Sequence, residues 1–223
     1  IALADGSNSA STADLVTNDN TPQITGSAES LATVTVYAGS TVVATTSADA
    51  GGNWAVSSNL LSDGDVTLTA VAQDAAGNSS APSNALALTI DTQIAIPSAS
   101  LMGGLQTNDT TPMLSGSDAE PGATVEIRLD GTLQTTVTAD SSGAWSYTPS
   151  SPLSDGDYSY TLKQTDIAGN ASGEPGDAGT VSFTVDTVPP ALGPVLLDSG
   201  SNSASSADLV TNDNTPTFVG TAE

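Results

Sequence analysis

A-D-L-V-T-N-D-N-T-P-Q-I-T-G-S-A-E, running from Ala13 to Glu29, is the phrase whose reading decides the fold. It returns 194 residues later as A-D-L-V-T-N-D-N-T-P-T-F-V-G-T-A-E at Ala207–Glu223, and between the two in shortened form as T-N-D-T-T-P-M-L-S-G-S-D-A-E at Thr107–Glu120. Three appearances in 223 residues make this a repeat protein, so the repeat sets the domain count.

Working outward from the first copy, Val34 and Val36 alternate with Thr33, Thr35 and Tyr37, the period of two that marks a half-buried strand. Ala38-Gly39-Ser40 turns the chain into a second strand, and the loop A-D-A-G-G-N leads to Trp54 and Val56. The corner L-S-D-G-D (Leu61–Asp65) precedes an inward row of Val66, Leu68, Ala70 and Ala72, which ends at the turn D-A-A-G-N (Asp74–Asn78). Leu86, Leu88 and Ile90 form the last row before Asp91-Thr92. The order then recurs: Val125, Ile127 and Leu129; A-D-S-S-G-A-W at Ala139–Trp145; L-S-D-G-D at Leu153–Asp157; D-I-A-G-N at Asp166–Asn170; Val181, Phe183 and Val185; Asp186-Thr187.

Each unit spans about 95 residues and about seven short strands, with turn signals at the spacing of an immunoglobulin-like sandwich. The predicted architecture is all-β, with tandem sandwiches end to end: repeat one over residues 1–91, repeat two over 92–186, and the first strands of an incomplete third repeat over 187–223. Trp54 and Trp145 hold one repeat position and are expected in the cores, which are otherwise poor in aromatics. Leu153-x-Asp155-Gly156-x-Tyr158 has the form of a tyrosine corner, which repeat one, with Val66, lacks.

The charge balance narrows the function. Two Lys+Arg stand against 25 Asp+Glu, for a net charge of −23, so phosphate backbones are repelled and nucleic acid is excluded as a partner. No apolar run approaches the roughly 20 residues of a membrane helix, which argues against direct membrane insertion. With neither His nor Cys, most nucleophilic and general-base constellations are missing, and the reading is of a non-enzyme.

The acids are not scattered. Only Asp118, Glu126, Asp130, Glu174 and Asp177 fall off repeat-locked turn or loop positions. Asp also favours turns for local hydrogen-bonding reasons, and that alternative stands for each taken singly. Strand alternation, however, brings Glu29, Asp49 and Asp74 to the N-terminal pole of repeat one, and Glu120, Asp140 and Asp166 to that of repeat two, where Asp91 arrives from the preceding repeat. Carboxylates converging without a cation call for a hard ion with six to eight oxygen ligands, and Ca²⁺ suits loops from two domains better than Mg²⁺. The stiff linkers Asp91-Thr92-Gln93-Ile94 and Asp186-Thr187-Val188-Pro189-Pro190 would let such an ion turn a hinge into a rod. A second candidate is the loop D-G-S-N-S-A-S-T-A-D, with Asp5 and Asp14, and its copy with Asp198 and Asp208; repeat two lacks it.

T-N-D-N-T-P…G-S-A-E, A-D-x-x-G-x-W, L-S-D-G-D, D-x-A-G-N and the closing D-T together resemble the bacterial Ig-like repeats of giant adhesins exported by type I (RTX) systems and related to biofilm-associated proteins. The resemblance covers essentially the whole chain. It implies an extracellular extender on the bacterial surface, stiffened by Ca²⁺ at domain junctions and carrying its adhesive ligand site elsewhere in the full protein. It also implies Asp186 and Glu223 as ligands of the next junction. Repeat one departs from the family in having Glu29-Ser30 where Glu-Pro-Gly is usual. The partners expected are neighbouring Ig-like repeats of the same chain. The alternative is a module that itself binds a carbohydrate or surface receptor, for which Tyr37 is the main aromatic candidate.

Overall fold

The structure, a computed structural model, describes residues 1–9, 14–172, 179–202 and 211–222. Packing divides the chain into Ile1–Val185 and Asp186–Glu223. Repeat one contributes β1 (Ala2–Leu3), β2 (Val16–Thr17), β3 (Gln23–Ser27), β4 (Thr33–Ala38), β5 (Thr41–Ser47), β6 (Asn53–Ser57), β7 (Gly64–Gln73) and β8 (Leu86–Ile90). Repeat two has the matching set: β9 (Ser100–Leu101), β10 (Gln106–Thr107), β11 (Leu114–Gly116), β12 (Thr124–Leu129), β13 (Thr132–Thr138), β14 (Trp145–Tyr147), β15 (Gly156–Thr165) and β16 (Thr180–Val185).

The strands form one sandwich per repeat. In repeat one the sheet β2-β8-β7-β4-β5 faces β1-β3-β6, and in repeat two β10-β16-β15-β12-β13 faces β14-β11-β9. The alternating residues point inward as read: Val34, Val36, Leu68, Leu88 and Ile90 in one core, Val125, Ile127, Leu162, Phe183 and Val185 in the other, none more than 3% exposed. The first strand is not one piece, however. β1 pairs antiparallel with β3, whereas β2 crosses to the other sheet and pairs parallel with β8. Between them a 3₁₀ turn at Asp5–Ser7 buries Ser7, whose hydroxyl donates to Asp19 Oδ2 (2.7 Å) and accepts from the Gln23 amide (2.9 Å). That network holds the crossing point.

Both tryptophans sit in the cores at 6% exposure. Trp54 lies opposite Gly26 and Trp145 opposite Gly116, and a Cβ on either glycine would fall 2.5–2.7 Å from ring atoms. The glycine of the repeated phrase is therefore the floor on which the indole rests. The tyrosine corner is formed: Tyr158 Oη donates to Ser154 O (2.9 Å), a bond worth about 1 kcal/mol. Tyr160 stacks on Phe183 with centroids 5.3 Å apart. Repeat one fills the Tyr160 position with Leu68.

In Asp186–Glu223, β17 (Leu196–Leu197) and β18 (Phe218–Val219) pair as Leu196↔Val219 and Leu197↔Phe218, the register of β1 and β3 carried forward by 194 residues. Ile24 is fully buried, whereas its counterpart Phe218 is 64% exposed; among the described residues of Asp186–Glu223 no second sheet covers this pair.

Candidate metal centre

Three carboxylates meet where repeat one passes into repeat two. Asp91 follows directly on β8, its amide bonded to Thr17 O (2.9 Å). Glu120 ends the S-D-A-E turn after β11, its amide donating to Gln164 Oε1 (3.1 Å). Asp166 opens the turn after β15, where Asn170 N (2.8 Å) and Asn170 Nδ2 (2.7 Å) fix its two oxygens. One carboxylate oxygen from each of the three lies within 4.8 Å of the others, and Asp166 is only 6% exposed. At this spacing each pair of full charges would repel by about 3.5 kcal/mol or more at an effective dielectric near 20. The one ion pair among the described residues is elsewhere, between Arg128 and Glu126.

This crowding shows in Glu120, whose carboxyl is held above the usual glutamate range. Burial is the largest cause; the Ala95 amide, 3.4 Å away, pulls the other way, and the charges of Asp166 and Asp91 add to the rise. Hard oxygen donors from three separate elements suit a divalent cation whose shell is completed by carbonyls and water.

The other acids read from the sequence lie in different settings. Asp140, expected among the ligands, is outside the group; its Oδ1 accepts from Ser142 N (2.8 Å), Ser142 Oγ (2.7 Å) and Ala144 N (3.0 Å) of its own turn. The Ser142 hydroxyl chiefly holds it below the usual aspartate range. Asp49 and Asp74 cap the equivalent turns of repeat one. Glu29 and Asp74 border one open groove, without a third acid beside them to make a group among the described residues. Asp5 lies in the 3₁₀ turn, and Asp14 accepts from Val16 N (3.3 Å). Asp186 caps Val188 N (2.9 Å) and Asp198 caps Gly200 N (2.9 Å), while Asp208 and Glu223 lie outside the described residues.

Four residues complete the junction without having been singled out as ligands. Asn170 Nδ2 also donates to Asp91 O (2.8 Å), tying the turn to the incoming chain. Gln164, fully buried, links the Glu120 amide to Ala95 O (3.2 Å). Asp118 accepts from Ser98 N (3.1 Å) and Ser98 Oγ (2.5 Å). From repeat one, Ser9 Oγ donates to Ala168 O in the Asp166 turn. A signal for Gln164 was present: it is the polar member of the inward row Tyr158, Tyr160, Leu162, Gln164.

The profile of the family described as Bacterial Ig-like domain matches residues 1–92 and 102–187. No curated protein sequence matches the chain. Among solved structures, the chain is similar to a biofilm-associated protein BSP domain (20% identity, TM-score 0.33), over 81% of this chain and 30% of that one. It is also similar to a Ca²⁺-stabilized adhesin with which an Antarctic bacterium binds ice (23% identity, TM-score 0.42), over 86% of this chain and 50% of that one. Fibronectin(III)-like modules of CbhA from Clostridium thermocellum align at 13% identity and TM-score 0.43, over 82% and 93% of the respective chains. The chain thus spans about a third and a half of the first two.

Proposed function

Because the chain belongs to the bacterial Ig-like domain family, we propose that it is an extender segment of a bacterial surface adhesin, whose repeats are locked end to end by Ca²⁺. The observation that carries this reading is the Asp91, Glu120 and Asp166 group, with oxygens within 4.8 Å drawn from both repeats. We place the repeat boundaries at Asp91 and Asp186, so that each repeat ends on the acid it lends to the next. Its work is mechanical rather than catalytic, on the outer surface of the cell, with the adhesive tip elsewhere in a larger protein exported by a type I system. A carbohydrate-binding module would want its tryptophans exposed, and both are committed to the cores. With free Ca²⁺ about tenfold above the dissociation constant, a site adds roughly 1.4 kcal/mol, enough to bias a hinge.

Calorimetric titration of Ca²⁺ into the chelator-treated chain tests the ligand assignment. Saturable binding is expected, with Asp166→Asn weakening the strongest site at least tenfold. Equal affinity in the variant, or no binding heat at all, removes the metal from the junction.

A further inference from the structure

The corner L-S-D-G-D and the closing D-T recur together in both repeats, and of the first pair only Asp91 belongs to the metal centre. In repeat one the two motifs meet. Gly64, at φ +119°, lies opposite Ile90 in the antiparallel pairing of β7 with β8, which brings Asp63 level with the residues that follow β8. The Thr92 hydroxyl donates to Asp63 Oδ1 (2.9 Å) and Oδ2 (3.2 Å), and Gln93 Nε2 donates to Asp63 Oδ2 (3.1 Å). The Gln93 amide in turn donates to Asp91 Oδ1 (3.2 Å), while the Asp91 amide is bonded to Thr17 O (2.9 Å). Repeat one thus grips Asp91 twice, at the main chain through β2 and at the carboxylate through the turn that Asp63 closes. The other aspartate of the corner, Asp65, accepts from the Thr89 hydroxyl (2.7 Å), so each acid of D-G-D holds one threonine of β8 or its exit. Repeat two shows matching parts: Thr184 Oγ1 donates to Asp157 Oδ1 (2.6 Å), and Asp186 Oδ1 accepts from the Val188 amide (2.9 Å).

We propose that Asp63 is a positioning residue for the junction cation. Through Thr92 and Gln93 it fixes Asp91 to repeat one, so that the ligand meets the ion already oriented. An acid on a free linker has to be ordered when the ion binds, and that ordering weakens the affinity; the clamp removes this cost beforehand. It also places the flexing of the joint. Asp91, Thr92 and Gln93 move with repeat one, and the bonds that give way are those Asn170 makes to Asp91 O (2.8 Å) and Gln93 O (3.4 Å). The role toward the ion rests on the extender reading; the clamp itself does not. Removing the Asp63 charge would weaken cation binding through the field alone, so the informative change is at Thr92. Valine there keeps the β-branched shape and loses only the hydroxyl, whereas serine keeps the hydroxyl. Asp63 is exposed, so water replaces the lost donor and the fold is expected to stand.

The test compares the 223-residue chain with its Thr92→Val and Thr92→Ser variants by two readouts. In chelator, residual dipolar couplings of the Thr92 and Gln93 amides should fit the alignment tensor of β3–β8 in the parent chain. The same fit is expected in Thr92→Ser, and in Thr92→Val the couplings of residues 92 and 93 should depart from it. By calorimetric titration, Thr92→Val should bind Ca²⁺ about threefold or more weakly at the strongest site, with Thr92→Ser restoring the affinity. Unchanged affinity in Thr92→Val overturns the positioning role, whatever the couplings show. If the parent chain gives no binding heat, the calcium reading and the role toward the ion fall together. Couplings that follow repeat one would then still support the clamp, and couplings that do not would overturn it.

Discussion

Trp145→Ala is expected to destabilise repeat two by about 3–5 kcal/mol, the range for truncating a buried aromatic without collapse of the site. Typical domains hold only 5–15 kcal/mol in total, so repeat two becomes marginal. Little nearby can collapse to soften the loss: the indole rests on Gly116, which has no side chain to move into the void, and a Cβ there would lie 2.5 Å from Ser98 O. The variant also leaves Trp54 as the sole tryptophan, reporting repeat one alone. In urea with chelator, circular dichroism should split into two transitions while Trp54 fluorescence follows only the later. A single transition at the wild-type midpoint would show that Trp145 is not a core element, or that the two sandwiches do not unfold separately.

Glu120→Gln should change stability in opposite directions with and without calcium. The folded-state pKa of Glu120 is raised, so its contribution is favourable below the ordinary glutamate value of 4.5 and is lost as pH rises through the folded-state value. At pH 7 in chelator the ionised carboxyl therefore opposes folding, and the neutral amide, which keeps an acceptor for the Ala95 amide, should raise the melting temperature. In Ca²⁺ the same change removes a ligand and should weaken binding at least tenfold, about 1.4 kcal/mol. For a repeat of about 95 residues each kcal/mol moves the melting temperature by roughly 4–8 °C. Acidification towards pH 4.5 in chelator should narrow the gap between wild type and variant. A shift of the same sign in both buffers contradicts the assignment.

Much of the fold was legible because a period of two, carried through Val34, Val36, Leu68 and Ile90 and again through Val125, Ile127 and Phe183, can satisfy only one face. The indole positions and the Tyr158 corner followed from the repeat in the same way. The split of the first strand was hidden, since β1 and β2 change sheets through a buried Ser7 network that no periodicity records. The acids were legible as a class but not individually. Asp49, Asp74, Asp140 and Asp166 all cap the amides two or four residues on in turns of one design, so spacing alone does not separate a turn acid from a junction acid. What sets Asp166 apart is burial against the incoming Asp91–Ser98 segment, a tertiary fact. Asn170 and Gln164 matter for the same reason: besides their bonds within repeat two, each donates to a main-chain carbonyl of that segment.

On the proposed reading, a divalent cation at Asp91, Glu120 and Asp166 makes one rigid body of repeats one and two. Residual dipolar couplings measured on the chain in Ca²⁺ and in chelator test it most directly. Amides of β3–β8 and β11–β16 should fit a single alignment tensor with calcium and require two in chelator, with Asp166→Asn behaving as the chelated protein in both buffers. One tensor under every condition, or two under every condition, would contradict the claim.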